Sequence, residues 1–364
     1  MQYIYAFIST FTLSLILTGL SRKIGLRLHL FAKPRSRDIH KKPIPRVGGL
    51  AIFLSFLIVS VIFFLFIRPD LNFGSGFWFG LDKHLFGIWL GAFIITFSMF
   101  LDDIFDLPAW LKLLIQILVA AVVIASGIGI DKLANPFGTQ INLNSVYIPI
   151  FKVNGIIYHF SLWSDLLTLI WLVGMMNVVN FVDGIDGLAG GVSAIAAFTI
   201  FLLSISLSVN QPAVAMLSII LSGAAAGFLF WNFPPAKIFM GDSGSMFLGF
   251  MLGILPLLSG GKLATTFLVL GFPIIDGLIV AGGRLLRRKN PFTTPDKTHL
   301  HHRFIEAGFS VPQAIFSMYL ISAAFAWVAL RSTTINKLIA AAVLFFILIM
   351  LILYLRRKAG KIKL

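Results

Sequence analysis

Long apolar runs alternate with short polar breaks along the whole chain. Runs near residues 3–20, 49–68, 86–101, 110–129, 165–181, 187–207, 212–231, 243–259, 263–282, 313–331 and 335–355 each approach the roughly 20 residues that a helix needs to cross a bilayer core. These runs predict an all-α polytopic membrane protein of about eleven transmembrane helices. Only the short DGIDG break separates 165–181 from 187–207. Residues 130–164 carry two alternating patches, TQINLNSVYIPIF and GIIYHF, which predict a small β-hairpin in the longest outer loop. No pause in the pattern is long enough for a soluble domain, so 1–364 reads as a single integral membrane domain.

Composition agrees. The chain is 58% hydrophobic and 12% charged, against about 25% charged in a soluble protein, and its mean hydropathy is +0.96. It has no cysteine, which excludes disulfides, thiolate metal ligands and cysteine nucleophiles. A net charge of +15 would suggest nucleic acid in a soluble protein. Here it points to cytoplasmic loops beside anionic lipid and to no nucleic-acid partner.

No Lys or Arg precedes the first run, which therefore reads as a retained helix with its N-terminus outside rather than a signal peptide. That orientation puts 21–48, 102–112, 182–187, 232–242, 283–312 and the cytoplasmic C-terminus 356–364 on the inner side. These segments hold 22 of the 29 Lys and Arg residues, the positive-inside bias. Asp38, Asp102, Asp103, Asp106, Asp183, Asp186, Asp242, Asp276, Asp296 and Glu306 fall on the same side. Carboxylates weigh little in topology, so their gathering suggests a cation such as Mg²⁺.

Four inner stretches carry candidate chemistry. In FLDDIFDLPAWLK (100–112), helical spacing brings Asp102, Asp103 and Asp106 to one side, where like charges need a cation among them. The competing reading is a solvated helix end. In NVVNFVDGIDGLAGG (177–191), Asn177, Asn180 and Asp183 recur at three-residue spacing as a polar stripe. A tight turn would explain the glycines but not two amides inside an apolar run. In WNFPPAKIFMGDSGSMF (231–247), Asp242 with Ser243 reads either as an N-cap or as a metal ligand where a helix N-terminus receives phosphate. In TPDKTHLHHRF (294–304), His299, His301, His302 and Arg303 suit phosphate better than a transition metal, since no Cys or nearby acid completes a metal set. SRDIHKKPIPRVGGLAIF (36–53) reads as basic lipid contact, and the role of Asp276 inside a span stays open.

In this order, DDIFD, NVVNFVDGIDGLAGG, FMGDSGS and HLHH resemble the polyprenyl-phosphate N-acetylhexosamine-1-phosphate transferase family of bacterial membranes (glycosyltransferase family 4), over about Arg37 to Arg303. IPRVGG and HLHH look closer to the branch that uses UDP-N-acetylglucosamine. The resemblance implies a phosphoglycosyltransferase of the bacterial plasma membrane. It would move N-acetylhexosamine 1-phosphate from a UDP-sugar to undecaprenyl phosphate, release UMP, and start a cell-envelope glycan such as lipopolysaccharide or teichoic acid. It implies Mg²⁺, with Mn²⁺ as a substitute, held by Asp242 and Asn180, and the paired acids Asp102 and Asp103, one of them a base. It also implies pyrophosphate contact by Lys112, uracil contact by Asp186, and a nucleoside pocket at Phe239 and Asn232. Sugar and pyrophosphate recognition would fall to His299, His301, His302 and Arg303, with Asn177 in the substrate set and Asp183 among the catalytic acids. Oligomeric state, monomer or homodimer, stays open.

Two other classes compete. A secondary transporter would place its polar groups near the midplane on repeated halves, and no repeat is visible. A membrane prenyltransferase using Mg-diphosphate would carry a second Asp-rich block like the first, and none is present.

Overall fold

The computed structural model describes residues 1–31, 43–133, 135, 139–153, 156–259, 267–286, 299–331 and 334–362. Each predicted apolar run carries a helix. In chain order these are α1 (Gln2–Arg27), α2 (Gly48–Ile62, continued by a π-helical turn Phe63–Ile67), α3 (Lys83–Phe105) and α4 (Ala109–Ala125). Then come α5 (Leu162–Val182), α6 (Leu188–Ser204), α7 (Pro212–Asn232), α8 (Gly241–Leu258) and α9 (Gly271–Leu286). The short α10 (Leu300–Glu306) precedes α11 (Val311–Arg331) and α12 (Thr334–Ile362). Among the described residues, eight helices are long and apolar enough to cross a membrane, while α4 and α6 are apolar but shorter. The first part of the predicted run 263–282 lies outside the described residues, as do Asp38 and Asp296. Hydropathy did not predict α10, because a seven-residue helix has no span-length signal.

The predicted hairpin in 130–164 is present. Two short ribbons precede it: β1 (Phe77–Trp78) with β2 (Leu81–Asp82), and β3 (Lys132–Leu133) with β4 (Ile141–Asn142). The hairpin itself pairs β5 (Tyr147–Val153) antiparallel with β6 (Ile156–Ser161).

Local chemistry sets the helix ends. Asp82 accepts the amides of His84 and Leu85 and so starts α3. Pro212 occupies the first turn of α7. The DGIDG break does separate two helices, with Gly187 at φ 76° opening α6.

The bundle is built around α7 and α8, the most deeply buried of the long apolar helices among the described residues. With lipid on the outside, small residues and interhelical hydrogen bonds drive such packing. The α1 helix lies on α7 through Gly227, where an added Cβ would fall 2.4 Å from Phe11 O. Ser14 Oγ donates to Ala224 O at 2.7 Å, and Trp231 Nε1 donates to Leu15 O at 3.0 Å. Against α2, α8 approaches backbone to backbone: a Cβ on Gly49 would sit 2.2 Å from Gly244 N.

Candidate active site at one end of the bundle

The site is assembled from helix ends. Backbone hydrogen bonds lay the segment before α2 alongside the segment before α8: Phe239 N donates to Pro45 O, Gly48 N to Phe239 O, and Gly49 N to Met240 O, each at 2.9 Å. This places Arg46 beside the first turn of α8. Its Nη2 is 2.5 Å from Asp242 Oδ1 and its Nε 3.2 Å from Asp103 Oδ1.

A capping role for Asp242 and Ser243 is not what the structure shows. The α8 helix has no side-chain cap of its own. Asp103, at the end of α3, supplies one from a different helix. It accepts Asp242 N–H at 2.9 Å, Ser243 N–H at 3.1 Å and the Ser243 hydroxyl at 2.8 Å. The positive end of α8 thus faces a carboxylate, and Asp242 is left free of backbone duty. Gly241 is required here twice over. Its φ is 73°, and an added Cβ would meet Asp103 Oδ2 at 2.3 Å.

Asp102 accepts Leu107 N–H at 2.8 Å, which closes the turn into α4. Lys112, one turn into α4, bridges Asp102 Oδ2 at 2.5 Å and Asp242 Oδ2 at 3.0 Å. Asp102, Asp103 and Asp242 form one group whose ligand oxygens lie within 4.8 Å of one another. Asp106 is not in that group. It ends α3 in the left-handed region at φ 53°, so the helical spacing that would have stacked it under Asp102 no longer applies.

The 177–191 stretch lines the same end. Asn180 Nδ2 donates to Ser245 Oγ at 2.9 Å, and Ser245 in turn donates to Gly241 O. Asn177 spends its amide on Gln116 Oε1 and Val173 O, both at 2.8 Å, and clasps α5 to α4. Burial pushes Asp183 up to about 7; Arg46 opposes the shift and Asp242, Asp103 and Asp186 add to it.

Asp186 Oδ2 accepts Ala236 N–H at 2.8 Å. Asn232 is 2% exposed and engaged at both ends of its amide, taking Gly187 N–H at 2.8 Å and giving to Ile238 O at 2.9 Å. It therefore pins the two loops together. Half-buried Phe239 sits on the strand-like segment beside Pro45.

The histidine loop docks onto these elements through α10. A Cβ on Gly184 would fall 2.5 Å from His301 Nε2. The open question of Asp276 resolves into a pairing: its Oδ2 is 2.8 Å from His299 Nδ1 and its Oδ1 accepts Leu300 N–H at 2.9 Å. His299 stacks on His301 with ring centroids 5.5 Å apart, and half-buried His302 lies 4.3 Å from His301. His301 is 1% exposed, and neither ring nitrogen has a hydrogen-bond partner among the described residues. Burial, with His302 and His299 adding, pushes its pKa well below the usual 6.5, so the ring is neutral. Half-buried Arg303 follows on the same short helix.

Sequence reasoning missed Arg46, Ser245 and Tyr319, whose hydroxyl donates to Gly187 O at 2.6 Å. For Arg46 a signal existed: it alone among the basic residues of its stretch sits between a proline and a Gly-Gly pair.

The starts of α2, α4, α6 and α8 and the ends of α3, α5 and α7 meet in these contacts. Fold and site define a multi-pass helical membrane protein with one polar chemical centre at one end of its bundle. Comparison with known proteins narrows the class. The model of the family described as "Glycosyl transferase family 4" matches residues 85–260. The chain is 34% identical over 342 residues to a probable undecaprenyl-phosphate N-acetylglucosaminyl 1-phosphate transferase of Bacillus subtilis, covering 92% of this chain and 86% of the relative. It is 34% identical over 350 residues to a decaprenyl-phosphate N-acetylglucosaminephosphotransferase of Mycobacterium tuberculosis, covering 90% and 81%. To an undecaprenyl-phosphate alpha-N-acetylglucosaminyl 1-phosphate transferase of Thermotoga maritima it is 30% identical, covering 80% and 78%. The protein belongs to glycosyl transferase family 4, in its polyprenyl-phosphate N-acetylglucosamine-1-phosphate transferase branch.

Proposed function

We propose that the protein transfers N-acetylglucosamine 1-phosphate from UDP-N-acetylglucosamine to polyprenyl phosphate, with Mg²⁺, and releases UMP. The observation that carries this reading is the group of Asp102, Asp103 and Asp242 with Arg46 and Lys112 at the meeting of helix ends. The names of the relatives support the transfer of N-acetylglucosamine 1-phosphate to a polyprenyl phosphate.

The donor set suits Mg²⁺, which takes hard oxygen ligands and substrate phosphates. Asp242 is the carboxylate of the three with no backbone partner among the described residues. Asn180 uses its nitrogen on Ser245, which leaves its carbonyl oxygen unengaged among the described residues. These two residues would hold the ion, which when bound supplies charge neutralisation at the diphosphate.

The chain's own groups do the rest. A lipid phosphate oxygen attacks the sugar-bearing phosphorus, a P–O bond forms, and the bond from that phosphorus to the bridging oxygen breaks. UMP leaves with the bonding electrons. Phosphoryl transfer of this kind is limited by positioning and charge more than by covalent help. Lys112 is placed to neutralise charge on the diphosphate. Asp102, which holds that lysine, is the acid best placed to take the lipid phosphate's proton, because Asp103 is committed to the start of α8. Asp186 and Asn232 fix the loop that carries Phe239.

A soluble nucleotide and a lipid headgroup can meet only at an interface. The positive-inside bias of 22 basic residues in 29 supports eleven crossings with the N-terminus outside and the site on the cytoplasmic face of the plasma membrane. The test is Asp242→Asn in detergent with UDP-N-acetylglucosamine, polyprenyl phosphate and Mg²⁺. UMP release should be abolished while the protein stays folded. Release at the wild-type rate would remove Asp242 from the centre and the reading with it.

A further inference from the structure

Both Asp242 oxygens already face a cation. Its Oδ1 is held by Arg46 at 2.5 Å and its Oδ2 by Lys112 at 3.0 Å. A divalent cation on either oxygen would meet the positive charge already held there, so repulsion drives one of the two side chains to move. Their second anchors differ. Lys112 is also fixed at 2.5 Å to Asp102. The second contact of Arg46 is the longer one, 3.2 Å to Asp103, and Asp103 is already served by Asp242 N–H, Ser243 N–H and the Ser243 hydroxyl. Lys112 cannot leave the cluster without stripping Asp102 of its cation, so Arg46 is the one that can leave altogether without stranding a carboxylate.

Its backbone cannot follow. Pro45, Gly48 and Gly49 are all hydrogen-bonded to the 239–240 segment, so only the side chain is free to turn, and it is 22% exposed. The formal charge explains why turning is favourable. Three carboxylates against Arg46 and Lys112 leave −1, which becomes +1 with a divalent cation. A nucleotide diphosphate then restores the balance, and the planar guanidinium fork is suited to two of its oxygens at once.

We propose that Arg46 is a partner-changing counter-ion: it occupies Asp242 without a divalent cation, gives that oxygen up to the cation, and turns its guanidinium to the diphosphate of the nucleotide substrate. The second half rests on the proposed function, and the first does not.

The two halves predict effects of opposite sign. Mn²⁺ is the probe for the first, measured by electron paramagnetic resonance on the purified full chain without nucleotide. Arg46→Gln should bind Mn²⁺ roughly fivefold tighter or more, because the ion pair no longer competes. Arg46→Lys keeps the positive charge but not the fork, and it should also bind Mn²⁺ more tightly than wild type. Equal or weaker Mn²⁺ binding by both variants overturns the competition. If only Arg46→Gln tightens, simple repulsion explains the result and the partner change is wrong.

For the second half, UMP release is followed at saturating Mn²⁺. Arg46→Gln should raise the KM for UDP-N-acetylglucosamine about tenfold with a smaller change in kcat. An unchanged KM removes Arg46 from the diphosphate. If wild-type protein releases no UMP from any UDP-sugar, the proposed function has failed, and the Mn²⁺ titrations still decide the first half.

Discussion

Replacing Asp103 by asparagine separates holding the site together from acting in it. The carboxylate is 2% exposed and takes four donors: two amides and one hydroxyl at the start of α8, and Arg46 Nε. Asparagine offers one oxygen. Its best placement keeps that oxygen on Asp242 N–H and Arg46, and points its NH₂ at the Ser243 hydroxyl, which can accept. Ser243 N–H is then a buried donor with no acceptor, costing about 1–3 kcal/mol. Loss of the negative charge at the helix N-terminus adds about 1 kcal/mol. The expected destabilisation is about 2–4 kcal/mol. Asp242→Asn is the control, since among the described residues that carboxylate takes no backbone donor and is held by the side chains of Arg46 and Lys112 beside Asp102, and each cation retains another acid. It should cost under about 1 kcal/mol, in the range of a partly exposed ion pair. Thermal unfolding followed by tryptophan fluorescence in one detergent compares the two. Asp103→Asn should melt clearly lower and Asp242→Asn close to wild type, although both lose UMP release. If Asp103→Asn melts with wild type, or the two variants fall equally, then Asp103 does not hold α8 in the way described.

Asp183 gives a pH-dependent expectation. Burial raises its folded pKa to about 7 from an ordinary 3.8, so between those values the folded chain keeps a proton that the unfolded chain has lost. Ionisation therefore weakens the fold as pH rises, and the penalty is full above 7. Asp183→Asn should melt higher than wild type at pH 8, with the gap closing toward pH 4, while activity falls; a gap independent of pH refutes the assignment. Gly49→Ala alters no chemical group, yet its Cβ would sit 2.2 Å from Gly244 N and 2.5 Å from Ser243 Oγ. Because the obstruction is partly backbone, α2 and α8 must part at a cost of about 3 kcal/mol, breaking the Gly49–Met240 hydrogen bond. The variant should lose both melting temperature and UMP release, and a wild-type result would show that this approach does not shape the site.

The helices were legible because a bilayer demands an unbroken apolar run for each one, and every run found in the sequence carries a helix. The same demand made polar residues at the edges of runs informative: Asp102, Asp103, Asp242 and Asn180 do meet at one end. Periodicity failed at the point where an element stops. Asp106 was assigned to the face of Asp102 by spacing, but the chain turns left-handed at Asp106 itself. Partnership was not legible, because it joins distant segments. Arg46 and Asp242 are 196 residues apart, Asp103 and Asp242 139, and His299 and Asp276 23 across a run of basic residues. Asn232 illustrates the consequence. A polar residue at the end of an apolar run shows that something is bound there, and only the positions of Gly187 N–H and Ile238 O reveal which two loops this amide joins. Arg46 is the converse case: one of nine basic residues between 21 and 48, it is singled out by backbone pairing with the 239–240 segment, a contact that hydropathy and charge counting do not register. Spacing along a helix can thus show which groups share a face, but whether an acid in this bundle is a cap, a clasp or a reactive group depends on which other helix end it meets.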